Sequence, residues 1–551
     1  MTRWKRIARG VPVLALAASL LVSGAQSAVS SQDHEHGHAH SEVGTVTFPT
    51  SCAPAAQAEF EHGVALLHSF WFVPAREAFT TVTEADPACA MGYWGIAMTW
   101  LGNPLTGSPP PPAAMQAGWT AIDRAASAGA RTDRERGFID ALTIMYRDPD
   151  VVDHRGRTHA YADAMEQLAT RFPDDFEAAV FYALALDMTY DLNDKTYANA
   201  LKAASVLERL FAQHPEHPGI THYLIHSYDY PPLAQRGLSS AFLYADLAPA
   251  VPHAQHMPSH IFTRVGYWQD SVDANTRSLA AIVAGLGERQ PRVAFPDEIH
   301  PMDYLVYAHL QMAQDDRARG VRDDILAFGD GPANAGTAYG FAAVPARYAL
   351  ERSQWADAAA LALHPAAFPW TQFPEGEAVT TFAQGLGAAR SGNAIGAQQA
   401  AVRLTELRDR LTEIAQDYWA EQVDIQRTVV LAWAARADGR NTEALELMRT
   451  AAQREDATEK HIVTPGPLAP ARELLGEMLL ELGAPAEALV AFEASHQVEP
   501  NRFKGLYGAA RAARQVGNAE LARTYYGRLI ELGQGSTRPE LQEARAFLQT
   551  Q

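Results

Sequence analysis

One spacing of small, aromatic and proline residues returns along this chain and constrains its fold more than any other feature. Near the C-terminus, Gly476, Gly483, Ala488, Phe492 and Pro500 stand at offsets 0, 7, 12, 16 and 24. Ala510, Gly517, Ala522 and Tyr526 repeat the first four offsets, 34 residues on. Ala432, Gly439, Ala444 and Met448 do so earlier, and Gly63, Ala75, Phe79 and Pro87 keep the pattern near the N-terminus. The physical sense is packing. Small residues let two helices approach closely, an aromatic fills the space beside them, and proline ends the second helix. Weaker matches include Tyr161, Met165, Leu168 and Pro173, and Ala203, Leu207, Leu210 and Pro215. No sustained alternation of period 2 appears, so strands are not expected. An array also answers a question of size: 551 residues exceed one ordinary core, whereas stacked repeats lengthen without enlarging theirs.

The small-small-aromatic-proline signature resembles the tetratricopeptide repeat (TPR) family. The resemblance implies an all-α, helical-hairpin solenoid winding as a right-handed superhelix, here of about ten or eleven hairpins from roughly residue 55 to 548. The pattern is similar to exported bacterial TPR proteins of undefined activity. It is carried by ALLHSFWF near 70, DPACAMGYWGIAM near 90, HYLIHSYDYP near 225, HMPSHIFTRVGYW near 260 and TPGPLAPARELLGEMLLELG near 475. Such arrays act as scaffolds, so the resemblance implies a protein or peptide partner in the concave groove. A shared fold does not by itself assign an activity.

The first residues read as an address. Arg3, Lys5, Arg6 and Arg9 precede an apolar run from Val11 to Val22, too short to span a bilayer, and small residues follow. The expected organisation is a signal peptide at 1–27, a His-rich flexible segment at 28–54, an N-terminal array at 55–330 and a C-terminal array at 331–551. The mature chain is expected to be periplasmic or secreted, with no integral membrane segment. Removing four basic residues and no acidic ones takes the formal charge from -19 to -23. Nucleic acid is not an expected partner, because phosphate binding needs a basic footprint. Export also permits a bridge between the two cysteines, Cys52 and Cys89.

Of the 20 histidines, His34, His36, His38 and His40 alternate in an N-terminal tail. A second group, His222, His226, His253, His256, His260, His300 and His309, is central. Aligned on Gly266 as the inter-helix glycine, His256 and His260 take repeat positions 5 and 9. His222 and His226 take the same positions one segment earlier. Residues four apart share a helix face, and in TPR arrays these two positions face the groove. Three readings remain open. The histidines line a groove with Asp229, His253, Arg264 and His300 and hydrogen-bond to their neighbours. Alternatively, His222, His226, His256 and His260 bind Cu or Zn as a metal-carrying or delivery site. The third reading is a site for an anionic or aromatic ligand, with Arg264, Tyr228, Tyr230 and Trp268 contributing. No phosphate loop, dinucleotide fingerprint or nucleophile elbow is present. THYLIHS lacks the Glu of zinc-protease helices, which leaves a metal-dependent hydrolase the least favoured class; Asp229 or Glu298 would have to supply its base. His461 is expected to be a solvated loop residue, and the aromatics at 70–72 and 93–94 to lie in repeat seams.

Overall fold

A computed structural model describes residues 42–286 and 292–550. The expected signal peptide and His34, His36, His38 and His40 lie outside the described residues. Among these, consecutive helices pair into twelve hairpins, from Pro54–His68 with Phe72–Ala85 to Phe503–Gln515 with Ala519–Leu532, and Pro539–Gln549 covers the last. The fold is an all-α helical-hairpin solenoid, with two hairpins more than the lower sequence count. No described helix is long and apolar enough to cross a membrane.

The repeat residues do the packing their spacing implies. A Cβ on Gly476 or Gly508 would come within 2.7 or 2.2 Å of the Phe492 ring. Two helices thus clamp one aromatic, and only glycine leaves room. Gly483 turns the chain between the paired helices in a left-handed conformation, with φ 73°.

Two boundaries differ from the sequence reading. The buried apolar residues form one cluster from Val43 to Phe262 and another from Trp268 to Ala544. The division therefore falls beside the central histidines, and position 330 falls inside the stretch of sequence that supplies the second core. The segment before Pro54 is also partly core. Phe48 is fully buried, with ring centroids 5.3 Å from Phe60 and 5.1 Å from Phe138, because an apolar residue there fills the space between the first hairpins. Cys52 and Cys89 are disulfide-bonded and join the starts of Pro54–His68 and Ala90–Trp100.

The proline-rich insertion between the helices Asn441–Asp456 and Ala471–Glu481 folds inward as a strap. It reaches the N-terminal half at several points. Glu459 N–H donates to the Leu192 carbonyl at 2.8 Å, and Lys195 pairs with the Glu459 carboxylate at 2.7 Å. Lys460 pairs with Asp229 at 2.9 Å, and His461 Nε2 donates to the Thr106 carbonyl at 3.2 Å. His461 is consequently a packed residue, 5.1 Å from the Trp419 ring, and burial lowers its pKa to about 4.

Candidate metal centre

His222 and His226 sit on the helix Pro218–Tyr228, which begins with proline at its first turn, where no N–H is needed. His253 and His256 lie on Pro252–His256, and His260 on Pro258–Val265. Pro258 removes one backbone donor between these two helices. Met257 stays helical, with φ -52° and ψ -37°, so the path continues and His256 and His260 remain on one face. His300 occupies the first turn of Ile299–Gln311.

The structure sorts these residues into two groups of three, in place of one four-histidine centre. His222, His226 and His253 form one triad; His256, His260 and His300 form the other. Within each triad, one nitrogen from every ring lies within 4.8 Å of the other two. The physical reason is direction. Each i, i+4 pair turns its Nε2 atoms toward one another, at 3.0 Å for His222 and His226 and 3.1 Å for His256 and His260. The third ring comes from the start of the next hairpin: His253 Nε2 is 3.1 Å from His222 Nε2, and the His300 ring centroid is 4.6 Å from that of His256.

The opposite ring nitrogens are held by acceptors. His222 Nδ1 donates to the His68 carbonyl at 2.6 Å, and His256 Nδ1 to the Asn275 side-chain oxygen at 2.7 Å. His260 Nδ1 donates to Asp229 at 2.8 Å, and His300 Nδ1 to the Val463 carbonyl, on the strap, at 3.1 Å. Each of these rings therefore carries its proton on Nδ1 and presents a bare Nε2 lone pair, the tautomer and support that metal-ligating histidines use. Burial lowers the pKa of all six rings, and mutual repulsion among them adds to the effect in His222, His226, His253, His256 and His300.

The rings are largely closed off from solvent. His222, His256 and His260 are 0–2% exposed, and His226 8%. They lie beneath the surface and do not line an open groove as the repeat register implied, because Phe70 packs over His222 and His226 and the helix Ile299–Gln311 over His256 and His260. His253 and His300 are half-buried and mark the side nearest solvent. Aromatic rings pack on both triads, with Tyr223 and Tyr244 each 5.2 Å from His222. The Phe70 ring centroid is 4.5 Å from His222 and 5.4 Å from His253, and Tyr304 is 5.0 Å from His256 and 4.9 Å from His260. Phe70 adopts a left-handed backbone with φ 53°, which is costly for a bulky residue. Its place in SFWF signalled an aromatic; nothing in the sequence joined it to the histidines.

Asp229 and Arg264 are outer partners. The Asp229 carboxylate accepts from His260, from Arg264 Nε at 2.8 Å and from Lys460. Burial opposes its charge, but Lys460 and Arg264 hold its pKa well below the usual carboxylate range. With those three donors engaged, Asp229 is not placed as a hydrolytic base. Glu298 turns instead to the Phe295 N–H at 2.9 Å. Arg264 and Lys460 also line a cavity of about 610 Å³ between the two halves, together with Tyr197, Trp419 and Glu455. His309 bonds to Gln314 at 2.7 Å and stands apart from both triads.

A third group of potential ligands, His68, Glu177 and His217, differs in one decisive way. His217 Nδ1 accepts from the Ile220 N–H, and its Nε2 donates to Glu177 at 2.9 Å. His68 Nε2 donates to Glu177 at 3.1 Å, and its Nδ1 lies 2.9 Å from the Tyr223 hydroxyl. Every ring nitrogen already has a protein partner, so this group is a closed structural network.

No family profile and no curated protein matches the chain. Among solved structures it is similar to yeast Tom70, at 11% identity over 90% of this chain and 89% of that one, with a TM-score of 0.28. It is also similar to the APC/C hetero-tetramer Cut9–Hcn1, at 11% identity over 90% and 95% of the respective chains, with a TM-score of 0.30. Similarity at that level adds nothing to the hairpin geometry, which carries the fold assignment alone.

Proposed function

We propose that this chain is an exported metal-binding protein whose helical array holds copper or zinc at the central histidines. The observation that carries the reading is the His256–His260 pair. Both rings give their Nδ1 proton to a protein acceptor, so two bare Nε2 lone pairs face each other at 3.1 Å. Such an arrangement is repulsive, and a cation between the nitrogens relieves it. An all-imidazole donor set suits Cu and Zn over Mg or Ca, which take oxygen ligands. The basic and apolar start of the chain and the Cys52–Cys89 bridge support export. Titration with Cu(II) and Zn(II), read by calorimetry and elemental analysis, tests it. His222→Ala combined with His256→Ala is expected to weaken binding at least 100-fold. Unchanged affinity would remove the assignment.

A second reading, a protein or peptide segment held on the concave side, is favoured by the 610 Å³ cavity and its mixed aromatic and charged lining. The two readings are compatible, since Arg264 and Lys460 face the cavity and also hold Asp229 behind His260.

A further inference from the structure

We propose that the six imidazoles form one dinuclear centre, with two copper ions, one per triad, sharing a single bridging ligand. The inference rests on the metal-binding reading and adds number and coupling to it. Its first support is contiguity. The His226 and His260 ring centroids are 6.1 Å apart and those of His253 and His256 6.3 Å. Those separations between triads are close to the 5.9 Å between His260 and His300 inside one triad. No helix or side-chain layer separates the two groups.

Equivalence is the second support. Each triad is an i, i+4 pair from one helical path plus a single histidine from the start of the next hairpin. The two pairs lie 34 positions apart, the repeat length itself. His222 in the first triad and His256, His260 and His300 in the second are fixed through Nδ1 by acceptors outside the triads, and aromatic rings pack on both, Phe70, Tyr223 and Tyr244 on the first and Tyr304 on the second. Sites built alike take the same ion.

The third support is charge. Three imidazoles fill three positions around an ion and leave at least one open. None of the six donors is anionic, and the adjacent carboxylate, Asp229, is already matched by Arg264 and Lys460. Two dications there would place four positive charges among neutral ligands in a buried site, which is costly. A hydroxide between them, formed when bound water releases its proton to solvent, lowers that charge and fills the open position on both ions at once. The half-buried His253 and His300 provide the side from which water reaches it.

The test uses the full mature chain, loaded with Cu(II) and freed of excess by desalting. Two coppers per chain are expected. Spin coupling through the bridge should reduce the paramagnetic resonance signal to under a tenth of that of two isolated ions. His300→Gln keeps the first triad and is expected to retain one copper with the full signal of an isolated ion. His253→Gln is the mirror experiment on the other triad and serves if the first variant fails to fold, which circular dichroism reports. One copper in the unaltered protein overturns the dinuclear centre, as do two coppers with full, uncoupled signal. Both results leave metal binding standing. Failure to retain any copper defeats the metal reading itself.

Discussion

At the residue scale, what a buried histidine does depends on where its second nitrogen goes. His68 and His217 spend both nitrogens on protein partners, whereas His256 and His260 spend one and turn the other inward. The same logic of partners applies to buried acids. Glu455 lines the cavity and accepts from the Ala471 N–H at 2.7 Å, and burial raises its pKa to about 8. A carboxyl whose pKa is raised on folding contributes its full stability below the ordinary value of 4.5. It loses that contribution as pH climbs toward 8, because the unfolded chain gives up the proton first. Glu455→Gln keeps the acceptor for Ala471 and removes the ionisation. Its denaturant midpoint is expected to fall less between pH 5 and 8 than that of the unaltered protein. Equal slopes for the two proteins would reject the role assigned to Glu455.

At the element scale, the hairpin depends on a few tight contacts. Phe492 is 1% exposed, clamped between Gly476 and Gly508. Phe492→Ala leaves a cavity that backbone on two sides cannot collapse to fill, and is expected to cost about 3–5 kcal/mol. Urea unfolding followed by helical dichroism measures it. A loss below about 1 kcal/mol would show that the seam rearranges freely. These contacts also explain what the sequence made legible. Small-small-aromatic spacing is a local record of helix pairing, so the fold class, the hairpin repeat and the four paired histidines could be read from it. His253 and His300 could be named as neighbours, but their membership of separate triads depends on the turns that bring 253 back to 222 and 300 back to 256. Phe70, Asn275 and Tyr304 carry no spacing signal at all. The strap was visible only as a proline-rich interruption, since its direction comes from bonds to residues more than two hundred positions away.

At the scale of the whole molecule, the strap turns an open array into an enclosed one. It carries the Val463 carbonyl to His300 and the Thr464 carbonyl to the Tyr304 hydroxyl, at 3.1 and 3.3 Å. Arg347, itself fully buried, anchors it through the Gly466 carbonyl and the Thr464 hydroxyl. Replacing residues 461–467 by a flexible Gly-Ser segment is expected to speed release of bound metal to an external chelator at least tenfold. Stopped-flow absorbance measures that rate, and an unchanged rate would show that the strap is not the cover.

The bond from His300 to Val463 spans 163 residues of sequence. A chain emerging from its N-terminus completes all six histidines well before it synthesises the carbonyl that fixes the last one. A fragment ending before the strap therefore owns all six histidines and lacks the finished site. On the proposed metal-binding role, capture in the final geometry would mark the end of chain assembly, and a truncated product would be distinguishable from an intact one by how loosely it keeps its metal.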